Sequence, residues 1–353
     1  MDIVFDSQRP RKPVVSIVLI DWSCRESFHI LDYLANQNIE RWKYEIIWIE
    51  YYNRKPRELS LALRRSQIYD QSPPLDRWIV LGMAENQYYH KHLMYNAGIV
   101  ASSGEIVTFC DSDAIVTRTF VGSIIESFAK DRNIVLHMDQ VRNREKHYYP
   151  FNYPSIEEIT RNGRTNFING KPAGLRPTTD PVHTRNYGAC MSAWREDLLA
   201  IGGADEHIDY LGYVCGPYEM TWRLVNFERK EIWHDHEWLY HVWHPGQLGA
   251  ENYFGPHDGF HISTTALKIC QSSRYLPLVE NPAINSLRLL GGPHSESSAV
   301  LDRVLYNRDF TGWNVSKKRL ALVNAIHKAT RKLLPRRIKT FVRSSLRNVL
   351  KSV

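Results

Sequence analysis

Apolar residues in the first third of the chain fall in short blocks separated by polar punctuation. Residues 14–20 are almost wholly β-branched or leucine, bounded by Pro13 and Asp21, which predicts a strand buried on both faces. Phe28, Leu31, Leu34 and Ala35 then recur at helical spacing. A second strand is expected over residues 44–49, ending at Glu50. A loop and helix follow over 51–65, and a third strand over 78–81. Helical spacing returns over 92–102 and stops at Ser103 and Gly104, as a C-terminal cap would stop it. A fourth strand over 105–110 runs directly into Asp111, Ser112 and Asp113. This alternation predicts an α/β fold, a mostly parallel sheet with helices on both faces. Ligands of such sheets sit beyond the carboxyl ends of the strands. Asp21, Glu50 and Asp111 all fall at such ends.

Periodicity fails over residues 142–184, which are rich in Pro, Asn, Gly and Arg. A stretch of that length without structure is expected to cover a substrate or bind an acceptor. Order returns with a strand over 187–191 and a helix over 195–201. After about Pro293 the pattern changes in kind. Leu320, Val323, Ile326 and Leu333 recur at helical spacing, as do Ile338, Phe341, Val342, Leu346 and Val349, with Arg336, Arg343 and Arg347 mostly on the other face. A basic amphipathic helix of this type lies flat on an anionic membrane surface; the alternative is a helical pair packed on the body or on a partner chain. The expected division is a globular domain over 1–292, with halves at 13–115 and 116–292, and a basic helical tail over 293–353.

Charge sharpens this division. The net +7 is not spread over the molecule: residues 317–351 hold 12 Lys and Arg and no acid, and taking those from the 45 basic residues leaves 33 against 38 acidic, or −5. A body of that sign is not expected to bind nucleic acid. The acid-free tail favours an anionic membrane surface as its partner. No run of about 18 apolar residues is present, and the first residues lack the apolar core of a signal peptide. Five scattered cysteines without a CxxC pair fit a reducing compartment. These features together predict a cytoplasmic chain, peripheral on the inner face of the membrane. Aromatic residues make up 12% of the chain, which suits stacking against sugars but equally suits a core.

Asp111 and Asp113, two apart just past a buried strand, can turn towards one hard cation such as Mn2+ or Mg2+. Asp-Ser-Asp is also ordinary turn composition, and on spacing alone the turn is the better reading. His241 and His244 lie three apart among Trp238, Tyr240 and Trp243, where imidazoles pack in a core as readily as they bind metal.

Context changes that balance. Residues 14–23 and 44–53, then Lys91, Asn96, Gly98, Ile99, Gly104 and Glu105 leading into Asp111-Ser112-Asp113, resemble family 2 glycosyltransferases of the GT-A fold. Gly188-Ala189-Cys190-Met191-Ser192 and Ile201-Gly202-Gly203-Ala204-Asp205-Glu206 resemble that family's acceptor-side segments, and Tyr240-His241-Val242-Trp243-His244 its late metal histidine. The resemblance covers roughly residues 13–250. It implies a mostly parallel mixed sheet, a nucleotide-diphospho-sugar donor, UDP-sugar in preference to GDP-sugar, and a glycan or lipid-linked acceptor in cell-surface polysaccharide synthesis. It implies a metal held by Asp111, Asp113 and a histidine, with His244 preferred and His241 open. Asp21, Glu50, Lys91, Asn96, Asp111 and Ser112 fall on the donor side, Glu50 towards uracil or ribose and Lys91 towards the diphosphate.

One departure matters. An inverting transferase needs a base for the acceptor hydroxyl, and counting back from Arg223 the family's Glu-Asp pair falls on Gly216 and Pro217. Glu219 is the first replacement, although a carboxylate near a helix start has a dipole role of its own; Asp205 and Glu206 are the next. Arg223 would brace the site by pairing with Glu219 at i,i+4. The leading expectation is a metal-dependent, inverting hexosyltransferase-type enzyme. A catalytically silent nucleotide-sugar or glycan-binding scaffold on the same fold is the alternative. A nucleotidyltransferase ranks third, because no Gly-rich phosphate loop with a basic residue follows the first strand.

Overall fold

The computed structural model describes residues 1–9, 11–21, 27–149, 154–161, 187–212, 217–244, 264–290 and 300–314, with the backbone of three short strands between 164 and 172. The strands are β1 (Asp2–Asp6), β2 (Val15–Asp21), β3 (Tyr44–Tyr52), β4 (Arg77–Met83), β5 (Ile106–Asp111), β6 (Ile134–His137), β7 (Gln140–Asn143), β8 (Arg164–Thr165), β9 (Phe167–Ile168), β10 (Lys171–Pro172), β11 (Cys190–Trp194), β12 (Lys230–Trp233) and β13 (Leu239–His241). The helices are α1 (His29–Ala35), α2 (Arg57–Ile68), α3 (Lys91–Ala101), α4 (Phe120–Lys130), α5 (Ile156–Arg161), α6 (Arg195–Ala200), α7 (Tyr218–Asn226), α8 (Thr264–Gln271) and α9 (Pro282–Leu289).

Eight strands form one mixed sheet in the order β1-β4-β3-β2-β5-β11-β6-β12. The four from β4 to β5 run parallel, as the alternating pattern predicts. β2 is buried along its whole length and β3 along all but its last residue, which is why both read as mostly apolar runs, broken within by Ser16 and Glu45. Successive side chains of β2 serve opposite faces. Val15, Ile17 and Leu19 pack with Ile30, Leu34, Leu59 and Ile124 of α1, α2 and α4. Val18 and Ile20 pack with Leu93, Met94, Ala97 and Ile284 of α3 and α9. Each such side chain contributes about 1.5–3 kcal/mol by leaving water. Gly98 lets α3 come close to the sheet: a Cβ there would stand 2.5 Å from Val18 Cγ1.

Topology then creates the crevice. From β2 the chain steps outward through β3 to β4, and returns to the other flank of β2 as β5. The carboxyl ends of β2 and β5 therefore lie at a switch point, where α/β sheets bind ligands. β11 inserts antiparallel beside β5, and β6 and β12 extend the sheet beyond it. A second sheet, β13-β7-β8, is tied to the loop after β5 by a backbone pair, Ile115 N–H to Tyr240 O at 2.7 Å and Tyr240 N–H to Ile115 O at 2.9 Å.

The structure differs from the sequence reading in three places. β1 pairs antiparallel with β4 as an edge strand built on the short run Ile3-Val4-Phe5, for which no strand was expected. Within the expected structureless excursion lie β7's last residues, α5 and three short strands. Packing also continues past residue 292: Val300, Leu301, Val304 and Trp313 join the core that α3 serves. The boundary expected at 292/293 thus falls inside the packed unit, because Leu301 and Val304 cover α3 and α9. The amphipathic helices expected over 315–353 lie outside the described residues. Among those described, no helix is long and apolar enough to cross a membrane.

Candidate active site

Three carboxylates stand on adjacent strand ends, as their sequence positions imply. Asp21 pairs in register with Glu50, and Ile20 with Asp111. Asp21 and Glu50 are buried, and Glu50 Oε1 accepts a hydrogen bond from Trp48 Nε1 at 2.9 Å. Ser112, also buried, follows β5 directly, and Asp113 ends the turn. His29 Nε2, at the start of α1, lies 3.1 Å from the Asp113 carbonyl oxygen and fixes the turn from its other side. Nothing in the spacing of His29 marks that role; it follows only from α1 packing beside the β5 turn.

Asp111, Asp113 and His241 each offer one donor atom, and the three atoms lie within 4.8 Å of one another. The period of two along β13 explains the histidine. Tyr240 packs with Ile115, Val141 and Ile159, so the next side chain turns to the opposite face. His241 Nε2 stands 3.6 Å from Asp111 Oδ2 and 3.5 Å from Asp113 Oδ1. The ring is buried, yet neither nitrogen has hydrogen-bond geometry with any described partner. Burial, the strongest single influence, opposes a charge on this ring, but the pull of Asp111 and Asp113 together raises its pKa above the ordinary histidine value. His244, favoured by sequence, touches the other oxygen of Asp113, Oδ2, at 2.7 Å. The geometry thus brings both histidines to the aspartates and makes His241 the one that both carboxylates share. Two carboxylates and an imidazole suit Mn2+ or Mg2+, and a buried ring spaced beyond hydrogen-bond distance from both acids fits a donor set that shares a cation.

Lys91 opens α3 and points over this cluster, with Nζ 3.8 Å from Asp111 Oδ1. Its ammonium is partly exposed, so it can meet an anion as well as Asp111.

The remaining candidates gather elsewhere, in a buried polar network beneath α3. Asn96 donates to Ala204 O at 2.9 Å and to Glu206 Oε1 at 2.8 Å, and accepts from Ala204 N–H at 2.7 Å. Gly203 has φ +68°, and a Cβ there would strike Asn96 Oδ1, so the double glycine lets the Asp205-Glu206 segment reach the asparagine. Glu206 is held further by Asn281 Nδ2 at 2.7 Å and by an ion pair with Arg308. Asp205 Oδ1 accepts from the N–H groups of His207 and Val279, both at 3.0 Å. Its Oδ2 makes no hydrogen bond among the described residues, and burial followed by the nearby Glu219 raises its pKa. Glu219 has no exposed surface. Its Oε2 accepts from Arg223 Nε at 2.7 Å and its Oε1 from Asp205 N–H at 3.1 Å, with His92 Nδ1 3.5 Å away. Asn96 and Glu219 are therefore both enclosed within this network. α7 presents Glu219 inward, where it pairs with Arg223. Gly216 of the substituted pair lies outside the described residues, and Pro217 stands at the start of α7.

No protein-family model matches the chain, and no curated protein matches it in sequence. Solved structures do. TarS 1-349 from S. aureus, in complex with UDP-GlcNAc, is 12% identical with a TM-score of 0.46, covering 86% of this chain and 77% of that one. The mannosyltransferase PcManGT from Pyrobaculum calidifontis, in complex with GDP-Man and Mn2+, is 14% identical with a TM-score of 0.43, covering 97% and 87%. GalNAc-T7 with UDP, GalNAc and Mn2+ is 11% identical with a TM-score of 0.44, covering 65% of this chain and 43% of that one.

Proposed function

We propose that the chain is a divalent-metal-dependent glycosyltransferase of the GT-A type, transferring a sugar from a nucleotide-diphospho-sugar, a UDP-sugar by preference, to a glycan or lipid-linked acceptor. The observation that carries this reading is the convergence of Asp111, Asp113 and His241 at the switch point of the sheet, under the ammonium of Lys91. A bound Mn2+ or Mg2+ supplies charge neutralisation for the diphosphate as it departs. Asp111, Asp113 and His241 would hold it, with His244 bracing Asp113 or joining the set. Lys91 would bind the diphosphate oxygens from the opposite side. Asp21 and Glu50 suit the hydrogen-bond donors of a nucleoside, a ribose hydroxyl or an imide N–H, and their burial excludes water that would compete for those bonds.

The acceptor hydroxyl must lose a proton. Of the three carboxylates expected there, Glu219 and Glu206 are paired with arginines, whereas Asp205 leaves Oδ2 without a hydrogen bond or ion pair among the described residues; burial raises the pKa of Asp205 and Glu219 alike. Asp205 is the base we propose. The burial of all three favours a second reading, a nucleotide-sugar-binding protein that does not turn over.

The discriminating experiment incubates the protein with a panel of UDP- and GDP-sugars, Mn2+ and membrane-extract acceptors, and measures nucleotide products and sugar transfer. Transfer with release of nucleoside diphosphate supports the enzyme, and Asp205→Asn then loses turnover while retaining donor binding. Donor bound but never consumed supports the silent reading. Pyrophosphate release, or no metal-dependent donor binding at all, removes both.

A further inference from the structure

Glu237 is buried, and among the described residues no lysine or arginine is paired with it. Its carboxylate instead collects three hydroxyl groups from one neighbouring segment. Thr117 Oγ1 donates to Oε1, Thr119 Oγ1 donates to Oε2 at 2.8 Å, and Ser123 Oγ donates to Oε2 at 3.1 Å. The glutamate's own N–H is held by His234 Nδ1 at 3.0 Å, so its backbone is fixed as well as its head.

The two segments joined in this way are those that meet at the candidate metal site. Thr117 lies four residues after Asp113, and Glu237 four before His241. Between these points the chains already touch through the Ile115–Tyr240 backbone pair. That pair is an isolated bridge, so the backbone ladder between the two segments goes no further. The three hydroxyl bonds lie on the side of the bridge away from Asp111, Asp113 and His241, and they supply a second point of attachment between the same two segments. A buried carboxylate is expensive without compensation; three short side-chain donors supply it here without a cation that would compete for the nearby aspartates.

We propose that Glu237 is a positioning residue for the metal site, locking the strand that carries His241 against the turn that carries Asp111 and Asp113. This rests on the metal reading given above. Glu237 acts through the orientation of His241 and touches neither the cation nor the donor. Outer partners that aim a metal ligand typically change metal affinity 10–100-fold.

The test measures Mn2+ affinity by calorimetry on the full chain for the wild type, Glu237→Ala, Glu237→Gln, Thr119→Val, His241→Ala and the Glu237→Ala/His241→Ala double variant. The expected results are about a tenfold or greater loss for Glu237→Ala, a smaller loss for Thr119→Val and partial recovery in Glu237→Gln, whose amide keeps one acceptor oxygen. Once His241 is absent, Glu237→Ala should cost clearly less, because the ligand it chiefly aims is gone. Equal affinity in the wild type and Glu237→Ala, or an undiminished further loss in the double variant, overturns the proposal. If Glu237→Ala does not fold, Thr119→Val and Glu237→Gln carry the same comparison. A wild type that binds no Mn2+ sinks the metal site itself, an outcome visible before any variant is compared.

Discussion

Arg223 sits one helical turn after Glu219 in α7, with neither side chain exposed, and its Nε donates to Glu219 Oε2 at 2.7 Å. Its Nη1 also donates to Ile201 O at 2.7 Å, and its Nη2 to Gly203 O. One guanidinium thus ties α7 to the glycine turn before Asp205. Removing either member leaves the other as an uncompensated buried charge, which costs about 3–5 kcal/mol. Arg223→Ala should shift the urea midpoint accordingly. At a temperature where Glu219→Gln remains folded, its donor affinity should stay within about twofold of the wild type (~0.4 kcal/mol by the tenfold-per-1.4 rule). Loss of turnover alone in that variant would restore Glu219 as the base.

Asp113 meets His241 through one carboxylate oxygen and His244 through the other. Asp113→Ala should lower Mn2+ affinity by more than about 100-fold, beyond the range of outer-partner changes, and abolish metal-dependent UDP binding. Circular dichroism should be unchanged, because the aspartate side chain is not part of the core. Calorimetry with and without Mn2+ checks both.

Lys91 and a divalent cation compete for Asp111, since the ammonium stands 3.8 Å from Oδ1. Lys91→Ala should therefore weaken UDP binding about tenfold or more, the usual scale for losing a charged hydrogen-bond partner. Mn2+ affinity measured without nucleotide should hold or rise slightly. A fall in both would mean that Lys91 supports the fold and not the donor.

His90 is buried against Trp313, ring centroids 4.6 Å apart. Burial, then the neighbouring His92 and Arg308, push its pKa well below the ordinary 6.5. The unfolded chain takes up a proton below that pH that the folded chain refuses. Stability is therefore complete above pH 6.5 and falls as the solution is acidified, by up to about 1.4 kcal/mol per pH unit for this one group. His90→Phe keeps the ring and removes the titration. The difference between the two proteins' thermal melts from pH 7.5 to 5 should open only on the acid side.

Much of this architecture was legible in the residues. β2, β3 and β5 announce themselves because strands buried on both faces are mostly apolar, and the acids at their ends stand out against that background. Edge pairing leaves a fainter mark: β1 has only three apolar residues, Ile3, Val4 and Phe5, and its partner β4 lies some 70 residues on. His241 was visible as a candidate but not as the shared one, because only the pairing of β13 with β7 and of Tyr240 with Ile115 decides which way its ring turns. Glu219 was only half legible for a related reason. Its place near the start of α7 was readable, but the face of α7 it occupies depends on Ile201 and Gly203, whose carbonyls Arg223 needs.

The segment over 300–314 has a practical consequence for anyone trimming or tagging this protein. Arg308 reaches Glu206, Tyr88 N–H bonds Trp313 O at 2.8 Å, and Asn314 bridges Gln87. A cut at 292, where the pattern of the sequence invites one, would strand Glu206 in a dry interior and strip the cover from His90. Any truncation should therefore keep the chain through Asn314.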